Sequence, residues 1–263
     1  MSVPVAMIPY TNMAPYRQLG TPDGCHFVPL VPRQSIAALM AGEVVAAAVP
    51  VGGLFQLSQR VEMLGRFGIA AKGPCMSVML FSRVPFETLR APKTVRITRE
   101  TASSVRLLHL LLANTVGLDH LPLQVGKDDR ADAELLIGDR ALVRGQRPVA
   151  DDFPHVIDLA DKWFDMQGLP FVFARWVVRT DAADGVKQAL GDWLGRFRER
   201  EPLLVEKAVE PSAAAVGVAP EVIRRYFQVI RRSLDDTDIQ GQARFVQLLE
   251  QWGPEPAFPP SGA

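Results

Sequence analysis

The stretch RQSIAALMAGEVVAAAVP, residues 33–50, gives the clearest indication of the fold. Its first part, 33–43, has the pattern of a helix that ends at Gly42, since glycine is the common residue just past a helix C-terminus. The run VVAAAV (44–49) is continuously apolar, which is typical of a strand covered on both faces. A helix leading directly into such a strand indicates an α/β unit with a parallel sheet.

Similar segments continue on both sides of this stretch. Strand-like runs occupy 3–8 and 26–31, and 51–59 has the pattern of a short helix. A second series follows, made of SVMLFS (77–82), KTVRIT (93–98), SSVRLLHLLLANTVG (103–117), PLQV (122–125), AELLIG (133–138), VIDLADKWFDMQG (156–168) and PFVFARWVVR (170–179). The rest is almost wholly helical, with an apolar face on 239–252. The sequence therefore predicts two α/β units in series, followed by helices.

Two long apolar strands, 77–82 and 171–178, bracket the second unit. Strands in those positions are suited to carry the chain from one lobe to the other. In open α/β sheets ligands bind outside the carboxyl ends of the strands. We therefore expect the site at those strand ends, in a cleft between two lobes.

Composition excludes several classes of function. The chain has 263 residues, 48% of them hydrophobic and 22% charged, with a formal net charge of zero. That balance argues against nucleic-acid or membrane-surface binding, and the basic segment RRYFQVIRR (224–232) is interpreted as a solvated helix face. Cys25 and Cys75 form no disulfide framework, and we find no signal peptide or membrane span. A cytoplasmic location is expected.

Motifs for metal or nucleotide chemistry are absent from the sequence. It contains no HExxH, CxxC or Walker loop, and VGGLF (51–55) lacks the GxGxxG spacing of a dinucleotide site. The four histidines are scattered, and His109 lies in a leucine-rich helix, which favours a place in the core. We therefore expect no metal and no cofactor.

Hydroxyl groups cluster where the helix 103–117 begins. Thr101, Ser103 and Ser104 stand at its start, where a hydroxyl can cap free N–H groups. The same N-terminus can hold a carboxylate or phosphate, because its dipole and N–H groups attract anions. One serine suffices for a cap, so the additional hydroxyls favour a ligand, and both interpretations stand at this point.

Three further polar residues follow or precede strands. Asn12 lies in the proline-bracketed turn 9–16, Ser77 precedes a strand, and Asp139 follows one. Each has a structural alternative, namely a turn amide, a strand-edge hydroxyl and a helix cap. As a set they suit a small anionic ligand, and none is an obvious general base near neutral pH.

Taken in order, several motifs resemble the menaquinone-biosynthesis proteins of the futalosine pathway, and within them the chorismate dehydratases. The matching stretches are IPYTNMAPY (8–16), KGPCMSVMLFSRVP (72–85), TASSVRLLHLLL (101–112), ELLIGDRAL (134–142), DLADKWFDMQGLPFVFARWVVR (158–179) and LEQWGPEPAFPP (249–260). They cover most of the chain in the family's order, and they are specific as a set.

The resemblance implies an α/β fold of the type II periplasmic-binding-protein kind. Two lobes are joined by two crossover strands, with the ligand in the cleft between them. The first lobe is expected to hold 1–83 and 180–263, and the second 84–179.

The resemblance also implies a reaction, the loss of water from chorismate to give 3-[(1-carboxyvinyl)oxy]benzoate without a cofactor or metal. The expected partner is this small dicarboxylate. Asn12, Ser77, Ser103 and Ser104 fall at positions where the family places groups that contact the substrate. Our hypothesis is that the substrate's enolpyruvyl carboxylate removes the ring proton while Asn12 holds the departing hydroxyl or that carboxylate.

The sequence departs from the family pattern at three places. Val45 stands where relatives usually have aspartate, the turn after Pro50 contains Gly52 and Gly53, and TRETASS (98–104) is less rich in hydroxyls. These departures keep open a non-catalytic or altered-specificity paralogue that binds a related aromatic acid. The sister enzyme 1,4-dihydroxy-6-naphthoate synthase is disfavoured, because its opening motif and catalytic histidine have no counterpart here.

Overall fold

The computed structural model of the chain describes residues 2–147, 152–252 and 258–261. These residues fall into two compact units. The first unit holds Met1–Ala70 and Val172–Ile239, and the second holds Ala71–Phe171 and Gln240–Ala263. Within the described ranges, no helix combines the length and the apolar character needed to cross a membrane.

The bounds of the elements are as follows. The strands are β1 (Val3–Met7), β2 (Cys25–Pro29), β3 (Ala46–Pro50), β4 (Val61–Ala71), β5 (Val78–Ser82), β6 (Thr94–Ile97), β7 (Leu123–Val125), β8 (Ala133–Ile137), β9 (His155–Asp158), β10 (Phe171–Arg179) and β11 (Ile230–Ser233). The α-helices are α1 (Ala14–Gln18), α2 (Pro32–Ala41), α3 (Ser103–Val116), α4 (Gly138–Gly145), α5 (Leu159–Gln167), α6 (Asp184–Val216), α7 (Pro220–Val229) and α8 (Asp236–Trp252).

A six-stranded sheet forms the centre of the first unit, in the order β11-β4-β10-β3-β1-β2. β1 pairs in parallel with β2 and β3, and β10 runs antiparallel to β3. Every residue of β3 is buried, which confirms the prediction made from its apolar run. The preceding helix α2 ends as predicted, with Gly42 in the left-handed conformation at φ +74°.

An aromatic cluster, defined as Tyr16, Trp176, Trp193 and Phe197, anchors α1 in the first unit. The ring of Tyr16 stacks on Phe197 with centroids 3.9 Å apart and meets Trp176 edge-on at 5.6 Å. The indole N–H of Trp193 donates to the carbonyl of Gly20 at 2.9 Å. Aromatic contacts of this kind add to the free energy gained from burial. They fix α1, and with it the turn that carries Asn12.

β4 contains a position where no side chain fits. A Cβ atom on Gly68 would lie 2.2 Å from the carbonyl oxygen of Ala174 in β10. The contacting atom belongs to the backbone of a paired strand, so it cannot turn away. Gly68 is therefore required for the β4–β10 pairing.

The second unit has a five-stranded sheet in the order β7-β6-β8-β5-β9. β6 runs parallel to β7 and β8, whereas β5 runs antiparallel to β8 and β9. β6, β8 and β9 therefore share one direction, and their carboxyl ends lie at the same edge. β5 begins at that edge because it runs the opposite way.

The C-terminal segment packs with the second unit rather than with the first, where the sequence had placed it. Phe245 on α8 contacts Phe171 and Trp163, with ring centroids 4.8 and 5.9 Å away. The apolar face predicted on 239–252 is not the side that is buried. Of its residues, Ala243 is exposed and Ile239, Val246, Leu249 and Trp252 are only partly buried, whereas Phe245, which was not assigned to that face, is buried. Residues 253–257, part of the motif LEQWGPEPAFPP (249–260), lie outside the described residues.

The bounds of the units also differ from the expected crossover strands. The chain passes from one unit to the other within β4, β10 and α8. β5, which was expected to be a crossover, pairs on both sides inside the second sheet. The sequence patterns did not predict β4, because charged and glycine residues interrupt its apolar run.

Helix α3 is the buried helix of the second unit, as its leucine pattern predicted. His109 lies within it, only 5% exposed, and meets the rings of Trp252 and Phe258 edge-on. Its Nδ1 has no hydrogen-bond partner among the described residues. Burial lowers the pKa of His109, because the imidazolium form would lose its hydration.

We expect Gly68→Ala to lower the free energy of unfolding by about 1–3 kcal/mol, because the added methyl group overlaps a backbone carbonyl. Denaturant titration measures the effect. Gly191→Ala is the matched control, since a Cβ at this position on α6 meets no atom within 4 Å. That change should raise stability by about 0.5–1 kcal/mol. Equal stability of the two variants would contradict the close approach of β4 and β10.

His109→Leu should reduce the sensitivity of the fold to acid. Below the ordinary pKa of about 6.5, the unfolded chain takes up a proton at this histidine that the folded chain resists. Stability is therefore lost as the pH falls, by at most about 1.4 kcal/mol per pH unit for this one group. Melting temperatures at pH 7.5 and 5.5 measure the slope. His120→Leu, at an exposed histidine, serves as the control. An equal change of slope in both variants would contradict the effect of burial at His109.

Candidate functional site

The parallel direction of β6 and β8 brings two helix N-termini to one edge of the second sheet. Ile97, the last residue of β6, is in register with Leu135 of β8, so α3 and α4 both follow strands that end at this edge. Ser77, just before β5, lies at the same edge, and its carbonyl accepts the N–H of Gly138 at 2.8 Å. The structure thus gathers Ser77, the residues 101–104 and Asp139, which the sequence had proposed separately.

The hydroxyl groups at the start of α3 have different roles. Thr101 Oγ1 accepts the backbone N–H of Val105 at 3.2 Å and so satisfies one free donor of the first turn. Ala102 is the capping residue and offers no side-chain bond, while Ser103 and Ser104 form the first two helical positions. All three hydroxyl residues are buried. The cap role therefore fits Thr101, and the two serines remain the better ligand candidates.

Arg106 adds a positive charge at this helix start. It is 4% exposed, and its Nη1 donates to the carbonyl of Ala102 at 2.9 Å. A guanidinium in the second turn and the helix dipole have the same sign here, so both favour an anion. Sequence reasoning missed Arg106, because one arginine in a leucine-rich helix looks like an exposed residue.

Asp139 lies in the first turn of α4, half-buried, one residue after the helix starts. Ile137 is the residue at the cap, so Asp139 is not the N-cap that the structural alternative suggested. A carboxylate in a first turn is stabilised by the helix dipole. Its negative charge repels the charged groups of an anionic ligand. Asp139 can instead accept a hydrogen bond from a hydroxyl group of the ligand.

An unusual backbone segment precedes Ser77. Met76 has φ +61°, the left-handed region that non-glycine residues rarely adopt. The carboxylate of Asp158 accepts the N–H groups of Cys75 and Met76 at 2.9 and 2.7 Å. Burial raises the pKa of Asp158, and these N–H groups act against the shift. The carboxylate thus holds the segment 75–77 in a conformation that the chain would not adopt alone.

In the first unit Asn12 lies in a 3-10 turn, Thr11–Met13, directly after β1. Its Oδ1 is buried and has no hydrogen-bond partner among the described residues. A buried amide oxygen without a partner costs free energy, so such an atom calls for an explanation. A ligand group that donates to Asn12 would provide one.

Two guanidinium groups hold the carbonyls of this turn. Arg17 donates to the carbonyls of Ile8 and Tyr10 at 3.0 and 3.2 Å, and Arg232 donates to that of Asn12 at 3.3 Å. The turn is therefore fixed by its backbone, which leaves the Asn12 side chain available for another task.

Arg232 corrects one interpretation of the sequence. The segment 224–232 was read as a solvated helix face, but α7 ends at Val229 and Arg232 in β11 is 1% exposed. Its guanidinium lies 3.6 Å from the carboxylate of Glu201 and over the ring of Phe227 at 5.1 Å. Burial lowers the pKa of Arg232, and Glu201 acts against the shift.

The structure places two of the residues that depart from the family pattern. A Cβ on Gly53 would lie 2.2 Å from Cδ1 of Ile36, so glycine allows the turn after β3 to pack against α2. Val45 precedes β3, whereas Asn12 follows the parallel strand β1. Val45 therefore lies at the opposite edge of the sheet from Asn12.

Taken together, the candidate residues offer hydroxyls, one amide, helix N-termini and a buried guanidinium. Such groups bind and orient an anion and stabilise developing charge. Within residues 2–147, 152–252 and 258–261, no three His, Cys, Asp or Glu side chains are grouped to hold a metal ion.

Comparison with known proteins agrees with this picture. A family model described as menaquinone biosynthesis matches residues 3–251. A chorismate dehydratase of Thermus thermophilus is 29% identical over 261 residues, covering 91% of this chain and 92% of that protein.

Solved structures show the fold. A protein from Archaeoglobus fulgidus superimposes with a TM-score of 0.68 at 16% identity, over 96% of this chain and 98% of that one. The periplasmic aliphatic sulphonate binding protein of Escherichia coli gives 0.62 at 15% identity, over 97% and 94%. The predicted α/β periplasmic-binding-protein fold is thereby confirmed.

We expect Thr101→Val to lower the free energy of unfolding by about 1 kcal/mol, since the N–H of Val105 loses its acceptor. Thr115→Val on the same helix is the matched control. The Thr115 hydroxyl only donates to the carbonyl of Leu111, so its loss should change stability by less than about 0.5 kcal/mol. Thermal unfolding of both variants measures the difference, and equal losses would contradict the cap role of Thr101.

Proposed function

Because the chain belongs to the menaquinone-biosynthesis family, we propose that it is a chorismate dehydratase, a lyase that converts chorismate to 3-[(1-carboxyvinyl)oxy]benzoate and water. The observation that carries the proposal is the edge of the second sheet, where buried hydroxyls meet the start of α3 beside Arg106. Chorismate carries two carboxylates, and this edge suits such an anion. The name of the Thermus thermophilus relative supports the same reaction.

The reaction needs a proton acceptor, and we assign that role to the substrate. The ring carbon that bears the enolpyruvyl ether loses its proton to the enolpyruvyl carboxylate. The neighbouring carbon releases its hydroxyl group, which takes up that proton and leaves as water. The electron pair of the broken C–H bond completes the aromatic ring, so the elimination is redox-neutral and involves no cofactor.

The protein then acts mainly by orientation. Holding the carboxylate against the ring proton makes the transfer intramolecular, and good orientation of this kind is worth about 7–11 kcal/mol. We assign Asn12 to the departing hydroxyl or to the enolpyruvyl carboxylate. Its Oδ1, buried without a partner among the described residues, needs a donor, and of these two groups only the hydroxyl can donate. Ser77, Ser103 and Ser104 are assigned to substrate binding, with Thr101 and Asp139 supporting the same edge.

Two of the departures that kept open a paralogue with a changed ligand are accounted for by their place in the fold. Gly53 is accounted for by its contact with Ile36, and Val45 lies at the other edge of the sheet. Neither change alters a group that we assign to the substrate.

The experiment is to incubate the purified protein with chorismate and to follow the product by chromatography and ultraviolet absorbance. We expect the enolpyruvyl benzoate to form in a protein-dependent manner. Binding of chorismate without conversion, measured by calorimetry, would instead indicate the paralogue.

Asn12→Ala should lower kcat by about 100- to 1000-fold, the range seen when one charge-stabilising hydrogen bond is removed. KM should change less, because substrate binding is assigned mainly to Ser77, Ser103 and Ser104. Asn114→Ala is the matched control, since Asn114 is the chain's other asparagine and lies exposed on α3. If Asn12→Ala turned over chorismate at the rate of the wild type, the role of Asn12 would be wrong.

A further inference from the structure

Asp158 is a buried acid that the proposed chemistry does not use. It ends β9 and forms the cap of α5, where its Oδ1 accepts the N–H groups of Ala160 and Asp161 at 3.0 and 3.4 Å. A cap of this kind needs only one carboxylate oxygen. The second oxygen is therefore available for a different purpose.

That second oxygen reaches the segment before β5. Oδ2 accepts the N–H groups of Cys75 and Met76, and the thiol of Cys75 donates to Oδ1 at 3.4 Å. The carboxylate thus accepts five hydrogen bonds from two segments that are far apart in the sequence. Charge-assisted bonds from backbone N–H groups are among the stronger hydrogen bonds in proteins.

The segment held in this way is strained. Met76 adopts φ +61°, which costs a residue with a side chain of the order of 1 kcal/mol. Such a conformation persists only where surrounding contacts impose it. Here the contact is the bond from the Met76 N–H, at 2.7 Å, to Asp158.

Ser77 follows Met76 directly, so the backbone conformation of Met76 determines the direction of the Ser77 side chain. Its backbone is fixed on one side by Met76 and on the other by the bond from Gly138 to its carbonyl. Its side chain is buried at the edge where α3 and α4 begin. A change in the Met76 conformation would rotate the Ser77 hydroxyl away from that edge.

We propose that Asp158 is a positioning residue for the reaction, which holds Cys75 and Met76 so that the Ser77 hydroxyl contacts the substrate. This inference rests on the proposed function for the identity of the substrate. The placement of the segment 75–77 by Asp158 can be measured without any ligand.

Asp158→Ser separates the two tasks of the carboxylate. A serine caps α5 about as well as aspartate does. The serine side chain is too short for its hydroxyl to reach Cys75 and Met76. The variant therefore loses only the hydrogen bonds that hold that segment. Asp132→Ser is the matched control, because Asp132 Oδ2 accepts the N–H and hydroxyl of Thr94 at the opposite edge of the same sheet.

The experiment measures four chains, namely Asp158→Ser, Asp132→Ser, Ser77→Ala and the double variant of Asp158 and Ser77. We expect Asp158→Ser and Ser77→Ala each to lower kcat/KM for chorismate by about 10- to 100-fold, as misplacement of a contact group does. The double variant should lie within about threefold of Ser77→Ala alone, because the two changes remove one contact. Asp132→Ser should lose stability with kcat/KM unchanged.

Hydrogen exchange provides a measurement that needs no substrate. In Asp158→Ser the amides of Cys75 and Met76 should exchange at least about tenfold faster than in the wild type and in Asp132→Ser. Unchanged exchange, or losses of kcat/KM that multiply in the double variant, would overturn the positioning role. A wild-type protein that leaves chorismate unconverted would overturn the proposed function instead, and exchange would still decide the role of Asp158.

Discussion

The direction of the strands in the second sheet determines which candidate residues lie at one of its edges. β6, β8 and β9 share one direction, so the helices that follow them all start on the same side. β5 runs against them and therefore begins where they end, which places Ser77 between the starts of α4 and α5 in the order of the sheet. Parallel strands place loops with free N–H groups together, and an anion is the ligand that such an edge favours.

Each unit also holds one buried arginine beside its candidate residues. Arg106 lies beside the start of α3, and Arg232 holds the carbonyl of Asn12. Neither guanidinium is exposed, so both have lost hydration that hydrogen bonds must replace. Side chains kept in place in this way meet a ligand with little reorganisation, which is the condition for electrostatic stabilisation of a transition state.

Elements with a strong local pattern could be predicted from the sequence, and those that depend on distant contacts could not. The run 44–49 and the helix α3 were found because a strand covered on both faces and a buried helix have distinctive apolar patterns. β4 and β11 were missed because their sequences do not look like strands. Gly68 in β4 is explained only by the close approach of Ala174, and Arg232 in β11 only by its ion pair with Glu201. Ser77 could be proposed from its motif, but the bonds from Cys75 and Met76 to Asp158 could not be predicted, because nothing near residue 158 points to residue 76.

The bond between Asp158 and Met76 joins residues 82 positions apart. Closing so long a loop is slow compared with forming local structure, because the chain loses its freedom before the contact is made. A growing polypeptide that ended before β9 would already contain β5, β6 and α3, yet its segment 75–77 would lack Asp158 as the acceptor for its N–H groups. The candidate edge of the second sheet is thus completed only after most of that unit has been synthesised, so an incomplete chain lacks the bonds that hold the segment 75–77.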